Sequence, residues 1–203
     1  MDSLSNGRAG LHPAKQARSR RTEERLLRAA LVRLREVPFE DLTIRDLVTA
    51  AGSSVGAFYK RFRDKDGLLS ALIAHLQEDT RALLADMSLD GPPQRRVRAW
   101  VDTAVTHWET YGGLFHTLLV RSRVEPGYLD VGAGLMALAT ERLHAALPSV
   151  AAEEVERATR AAFALLDQSM IFGRIPGGPG AEHDALVAEL DIITCTLLHL
   201  EAS

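Results

Sequence analysis

Residues 43–65, TIRDLVTAAGSSVGAFYKRFRDK, constrain the fold more than any other stretch, because helix-capping chemistry recurs in them at close spacing. Thr43 followed three residues later by Asp46 is a capping-box-like start, and Ile44, Leu47 and Val48 then supply one apolar face. Ala51 and Gly52 give a small residue and a φ-permissive stop, which a tight corner between two helices needs. Ser54 is a good N-cap for a second helix over residues 55–62. On that helix Phe58 and Phe62 lie four apart and face one way, whereas Val55, Gly56, Tyr59 and Lys60 point elsewhere and are small, hydroxyl-bearing or cationic. An apolar back with a small or basic front fits a helix that enters a DNA groove. A surface helical hairpin with a few basic residues is the other reading this chemistry allows.

The same residues resemble the TetR-type transcriptional regulators. The resemblance lies in T-I-R-D-L-V, A-A-G-S-S-V-G-A-F-Y and F-R-D-K-D-G-L-L, in order and without gaps, within residues 22–69. It departs at Ser53, where the family usually has a small apolar residue, and at Arg61, where a His is frequent. Val55 and Ala57 stand where polar residues are common, which leaves the DNA sequence read open. The resemblance implies a phosphate contact for Lys65, an effector pocket among the middle helices, and a two-fold dimer made by pairing the last two helices. For a duplex-binding head, Thr43, Ser53, Ser54, Tyr59 and Lys65 are the candidates to hold phosphates. Arg45, Val55, Gly56, Ala57 and Lys60 are the candidates near base edges, with Val55 and Ala57 suited to thymine methyls.

Charge marks the same end of the chain. Residues 1–65 carry 14 Lys or Arg against 8 Asp or Glu, and residues 66–203 carry 10 against 19, so +6 and −9 combine to the net −3. A basic head on an acidic body suits a nucleic-acid-binding end whose body repels phosphate. The abundance of Ala and Leu with few aromatic residues favours helices over sheet. The single cysteine, Cys195, allows no intramolecular disulfide. With no apolar run of membrane-spanning length and no signal-peptide core, a cytoplasmic protein without a membrane partner is expected.

In chain order, residues 1–19 are poor in apolar side chains and are predicted to be a disordered basic arm. The arm either reaches phosphates or a minor groove, or merely solubilises the chain; composition does not separate these. Residues 20–66 are the predicted helix–turn–helix domain, its first helix capped by Thr22 and ended near Val37-Pro38. Residues 67–203 are the predicted ligand-binding and dimerisation body, reached through a long fourth helix with Asp64 as its N-cap. Gly91-Pro92-Pro93, Gly112-Gly113, Pro126, Pro148 and the Gly/Pro-rich residues 176–180 are predicted breaks. The expected fold is all-α with about nine helices.

No phosphate loop, zinc spacing or nucleophile elbow is present in the sequence, so no enzyme, metal or cofactor is expected. Glu141 and His144 form one Glu-x-x-His unit without a second, which is insufficient for a di-metal bundle site. Trp100, His107, Trp108, Tyr111 and Phe115 gather aromatic and polar-tipped side chains, the composition of a small-molecule pocket and also of a plain helical core. Met136, Phe163 and Gln168 are candidate walls from later helices. Surplus apolar residues on the last two helices, Leu165, Phe172, Leu186, Leu190, Ile193 and Leu197, are the dimer candidates. The whole predicts a homodimeric, effector-released repressor of a palindromic operator. An activator, or a helical ligand-binding or interaction protein without a specific DNA site, are the alternatives.

Overall fold

The computed structural model describes residues 11–173 and 183–200, with the side chains of 11–16 and 170–173 outside the description. Among the described residues there are eight α-helices and no strand. They are α1 Leu11–Leu34, α2 Ile44–Ala50, α3 Val55–Tyr59, α4 Lys65–Asp86, α5 Pro93–Arg121, α6 Gly127–Ala146, α7 Ala152–Gly173 and α8 His183–Leu197, with a short 3-10 turn at Phe39–Asp41. The chain divides into two compact units, Met1–Ala74 and His75–Ser203, and the division falls inside α4. It lies beyond the boundary expected at residue 66 because Leu68, Leu69 and Leu72, in the first turns of α4, are buried in the first unit.

In the first unit, α1 packs on α2 and α2 on α3. Leu26, Ala30 and Leu34 of α1, Leu47 of α2 and Phe58 of α3 are all essentially inaccessible to solvent. α1 begins at Leu11, so residues 11–19 are helical and not part of a disordered arm; residues 1–10 of that arm lie outside the described residues. The physical reason is local: Ala14, Lys15, Gln16, Ala17 and Arg18 are strong helix formers, and Pro13 sits in the first turn, where its missing N–H costs nothing.

In the second unit, α5 packs against α6, α7 and α8, and α7 against both α6 and α8. Trp100 ties two of these together, since its buried indole Nε1–H donates to Ala139 O of α6 at 3.0 Å. Arg96 donates through Nη1 to Ala146 O at 2.9 Å and so satisfies a carbonyl at the end of α6. Gly91 turns the chain into α5 at φ 89°, outside the range a side chain tolerates easily.

Gly112 and Gly113, expected to end a helix, lie within α5, which is why eight helices replace the expected nine. Two helical glycines cost about 1 kcal/mol each relative to alanine. Tyr111, Leu114 and Leu118 around them are buried, and each buried leucine alone contributes about 1.5–3 kcal/mol. Burial wins, and the helix runs through.

α8 opens on His183, whose ring bridges two carboxylates of α5: Nδ1 lies 3.1 Å from Glu109 Oε2 and Nε2 3.4 Å from Asp102 Oδ1. Hydrogen bonding to Glu109 and then to Asp102 raises its pKa. A raised histidine pKa gives stabilisation that is fully present below the unfolded value of about 6.5 and is lost as pH rises through the folded one. His183→Ala is therefore expected to lower the melting temperature at pH about 6 and to leave it nearly unchanged at pH about 9. A calorimetric scan at the two pH values checks this; an equal loss at both would mean that the imidazole only packs.

Candidate nucleic-acid interface and body cavity

The corner between α2 and α3 is built by its own side chains. Thr43 Oγ1 accepts from Asp46 N–H at 3.1 Å and donates to Asp46 Oδ2 at 2.6 Å, so the hydroxyl caps α2 and is itself held by the Asp46 carboxylate. At the far end Gly52 takes φ 55°, its N–H bonding Thr49 O at 3.1 Å while Ser53 N–H bonds Val48 O at 2.8 Å. That pair of bonds is a Schellman stop, and only glycine takes the left-handed position without strain. Ser54 Oγ then accepts from Ala57 N–H at 3.2 Å to start α3.

α3 is shorter than the expected 55–62. It ends at Tyr59, yet Phe62 stays buried with its ring 5.2 Å from that of Phe58. These two rings anchor the back of α3, and its front is open. Val55, Gly56, Tyr59 and Lys60 are exposed, and a Cβ built on Gly56 meets nothing within 4 Å. Ser54 and Arg45 are exposed beside them, and Ser53 and Ala57 are half-buried.

The structure separates the nominated phosphate residues by what their polar atoms already do. Tyr59 OH makes no hydrogen bond with another described residue. Ser54 uses an acceptor lone pair for its cap and keeps its O–H hydrogen. The Thr43 hydroxyl hydrogen, by contrast, is committed to Asp46, so Thr43 is first a cap. Lys65 Nζ donates to Glu40 O at 2.9 Å and sits 5.0 Å from the centre of the Phe39 ring, leaving two of its three N–H donors for other partners.

Inside the second unit a partly open cavity of about 40 Å³ is lined by aromatic and aliphatic side chains with two threonines. Trp100, His107, Trp108, Phe115 and Phe163 of the nominated pocket residues line it, with Thr80 of α4 beside His107. Trp108 and Phe115 stack at 4.3 Å with 12° between their planes, and Phe163 meets Trp108 edge-on at 6.3 Å. Buried Trp108 Nε1–H has no hydrogen-bond partner among the described residues. Thr80 Oγ1 donates to Leu76 O at 2.7 Å, so at 2.8 Å it accepts from His107 Nε2–H, which fixes the tautomer. Burial holds the His107 pKa below its usual value, against the opposite pull of Asp79, whose Oδ2 lies 3.9 Å from Nδ1.

Three nominated pocket residues lie elsewhere. Tyr111 is buried beside the cavity with its OH donating to Asp79 Oδ2 at 3.1 Å; burial first, then the Asp79 charge, pushes its pKa up. Met136 lines an open groove between α6 and α7, together with Glu141, His144 and Arg160. Gln168 is exposed on α7. Met136 and Gln168 lie on sides of α6 and α7 turned away from the cavity, which Leu135, Ala139, Phe163 and Leu166 of the same helices line.

The dimer candidates divide in the same way. Leu186 and Leu190 are buried in the core of their own unit, and half-buried Leu165 and Leu197 pack against that core. Ile193 is half-buried, and the Phe172 side chain lies outside the described residues. The exposed residues of α8 are instead Asp184, Ala185, Ala188, Glu189, Ile192 and Thr196, with Ile192 57% exposed. No helix among the described residues is long and apolar enough to cross a membrane.

Residues 26–72, which span α2, the turn and α3, match the family of bacterial regulatory proteins known as the tetR family. The HTH-type transcriptional regulator BetI of Proteus mirabilis (strain HI4320) is 34% identical over 83 residues, covering 39% of this chain and 42% of the relative. BetI of Serratia proteamaculans (strain 568) is 38% identical over 82 residues, 38% of this chain and 41% of the relative. The chain thus matches about two-fifths of the length of these curated relatives. Among solved structures, a transcriptional regulator from Rhodococcus sp. Rha1 has the same fold with TM-score 0.67 at 21% identity, covering 87% of this chain and 96% of that one. The TetR family regulator PfmR from Thermus thermophilus superposes with TM-score 0.61 at 23% identity, covering 88% and 99%. The sequence match is seated on the helix–turn–helix, and the fold shared with these regulators continues through the helical body.

Proposed function

We propose that the chain is a homodimeric transcriptional repressor of a palindromic operator, released by a small, largely apolar effector. The observation that carries this is the open front of α3: small, apolar or cationic side chains on a helix whose back and both ends are fixed. Tyr59 and Ser54 offer hydroxyl hydrogens to phosphates, and Lys65 adds charge beside them, with Thr43 and Ser53 at the edge of the same surface. Arg45, Lys60, Val55 and Ala57 meet base edges, and Gly56 allows close approach. Two heads about 34 Å apart would reach successive major grooves, which calls for a two-fold partner. The exposed Ile192 of α8 supports such a pairing.

The effector would enter the aromatic cavity of the body. Small-molecule sites usually enclose about 300–1,000 Å³, so this small cavity has to widen by moving its walls. The unpartnered Trp108 N–H offers a hydrogen bond to an acceptor on such a molecule, and neutral His107 offers no charge to an anion. A differential affinity worth about 1–3 kcal/mol between the DNA-bound and released conformations is enough to couple the two sites.

The test is salt-dependent binding to the DNA upstream of the gene. For the double variant Tyr59→Phe, Lys65→Ala, the slope of log K against log salt should flatten by about 0.9 for each phosphate no longer neutralised. An unchanged slope and affinity would refute the phosphate assignment.

A further inference from the structure

Arg61, the position at which the helix–turn–helix departs from the usual histidine, joins α1 to the end of α3. Its Nη1 donates to Ala57 O at 2.8 Å. The backbone N–H of Arg61 turns to Phe58 O, so the guanidinium supplies the donor that the Ala57 carbonyl would otherwise lack. The other edge of the same plane reaches 42 residues back along the sequence: Nε and Nη2 donate to Ser19 O at 3.2 and 3.1 Å, and Nη2 lies 3.4 Å from Ser19 Oγ. A rigid planar fork with donors on two edges can hold both carbonyls at once, which a lysine ammonium cannot do.

Ser19 sits among cations. Arg18, Arg20 and Arg21 are exposed and form no ion pair with another described residue. We propose that Arg61 is a positioning residue that holds this cationic part of α1 beside α3, so that α1 extends the duplex-facing surface onto the flanking phosphates. The inference rests on the proposed reading of α3 as a duplex-binding helix. A tethered helix meets phosphates without first being ordered, so the three arginines contribute more than they would on a loose chain. Charges within about 8–10 Å of the backbone are felt at physiological salt, so the segment needs to be beside the groove and not in it.

The experiment is titration of a short random-sequence duplex with the full chain over a range of salt, which needs no knowledge of the operator. Four proteins are compared with the wild type: Arg61→Ala, Arg61→Lys, the triple variant Arg18→Ala, Arg20→Ala, Arg21→Ala, and the triple variant combined with Arg61→Ala. The triple variant removes only exposed side chains and should melt like the wild type. Its salt slope should flatten by about 2–3, at about 0.9 for each phosphate left without its arginine. Arg61→Ala should flatten the slope by more than the single phosphate its own charge could neutralise. Arg61→Lys, which keeps the charge but not the fork, should behave like Arg61→Ala, and the combined variant should fall no further than the triple.

A wild-type slope in the triple variant overturns the proposal, as does rescue by lysine or full additivity with Arg61→Ala, which would place Arg61 itself on phosphate. A wild-type chain that binds no duplex at low salt overturns the reading of α3, a result distinct from all of these.

Discussion

Replacing Gly56 by leucine is expected to leave the head at least as stable as before and to lower its affinity for the operator by tenfold or more. The two effects have opposite signs because they arise on different sides of the same Cα. On the protein side a Cβ at Gly56 meets nothing within 4 Å, and the residue has an ordinary helical φ, so no clash or strain opposes the change. Glycine within a helix costs about 0.5–1 kcal/mol relative to alanine, so stability should rise by a few tenths to about 1 kcal/mol. On the duplex side the same space would be occupied by the floor of the groove. A side chain there must either push α3 outward or displace base-edge contacts, and each good bidentate contact is worth about 1–3 kcal/mol of discrimination. Gly56→Ala should show the same pattern in weaker form. Thermal melting and duplex titration on one preparation check both signs, and unchanged affinity in the leucine variant would remove α3 from the groove.

Trp100→Ala is expected to be the most destabilising single change in the body, by about 3–5 kcal/mol in denaturant titration, as for other buried aromatic residues cut back to alanine. Trp100 is 1% exposed, its ring lies 6.4 Å from that of Phe163, and its N–H satisfies Ala139 O. The deletion therefore empties space and loses a buried hydrogen bond together. Trp100→Phe, which refills most of the space and loses only the hydrogen bond, should cost about 0.5–1.5 kcal/mol. Because Trp100 also lines the cavity, the alanine variant enlarges it toward a size at which an apolar hole binds a small aromatic; a cavity of about 150 Å³ in another protein takes up benzene. Indole should then raise the melting temperature of Trp100→Ala and leave the wild type unmoved. Stabilisation of both alike would mean that the space left by Trp100 is not what indole occupies.

The parts of the fold that were legible in the sequence are those whose causes are local. Thr43 with Asp46, Gly52 and Ser54 each do in the structure what their spacing predicts, because caps and left-handed stops involve atoms a few residues apart. The open front of α3 follows from them, since Phe58 and Phe62 fix which side is the back. What was not legible depends on contacts distant in sequence. Gly112 and Gly113 read as a break, and only the burial of their neighbours shows why α5 continues. Leu186 and Leu190 read as surplus apolar surface, but depth in the bundle assigns them to the core and leaves Ile192 outside. Arg61 attracted notice only as a departure from a common histidine. Its partner is 42 residues away, and nothing in either stretch alone announces the pairing.

The most direct test of the proposed function is hydroxyl-radical footprinting of the wild-type chain and of Gly56→Leu on the DNA upstream of the gene. The account predicts two protected patches on one face of the duplex, related by two-fold symmetry and centred about 34 Å apart or a multiple of that, with protection lost in the variant. No protection at low salt, or a footprint that Gly56→Leu leaves intact, would contradict it.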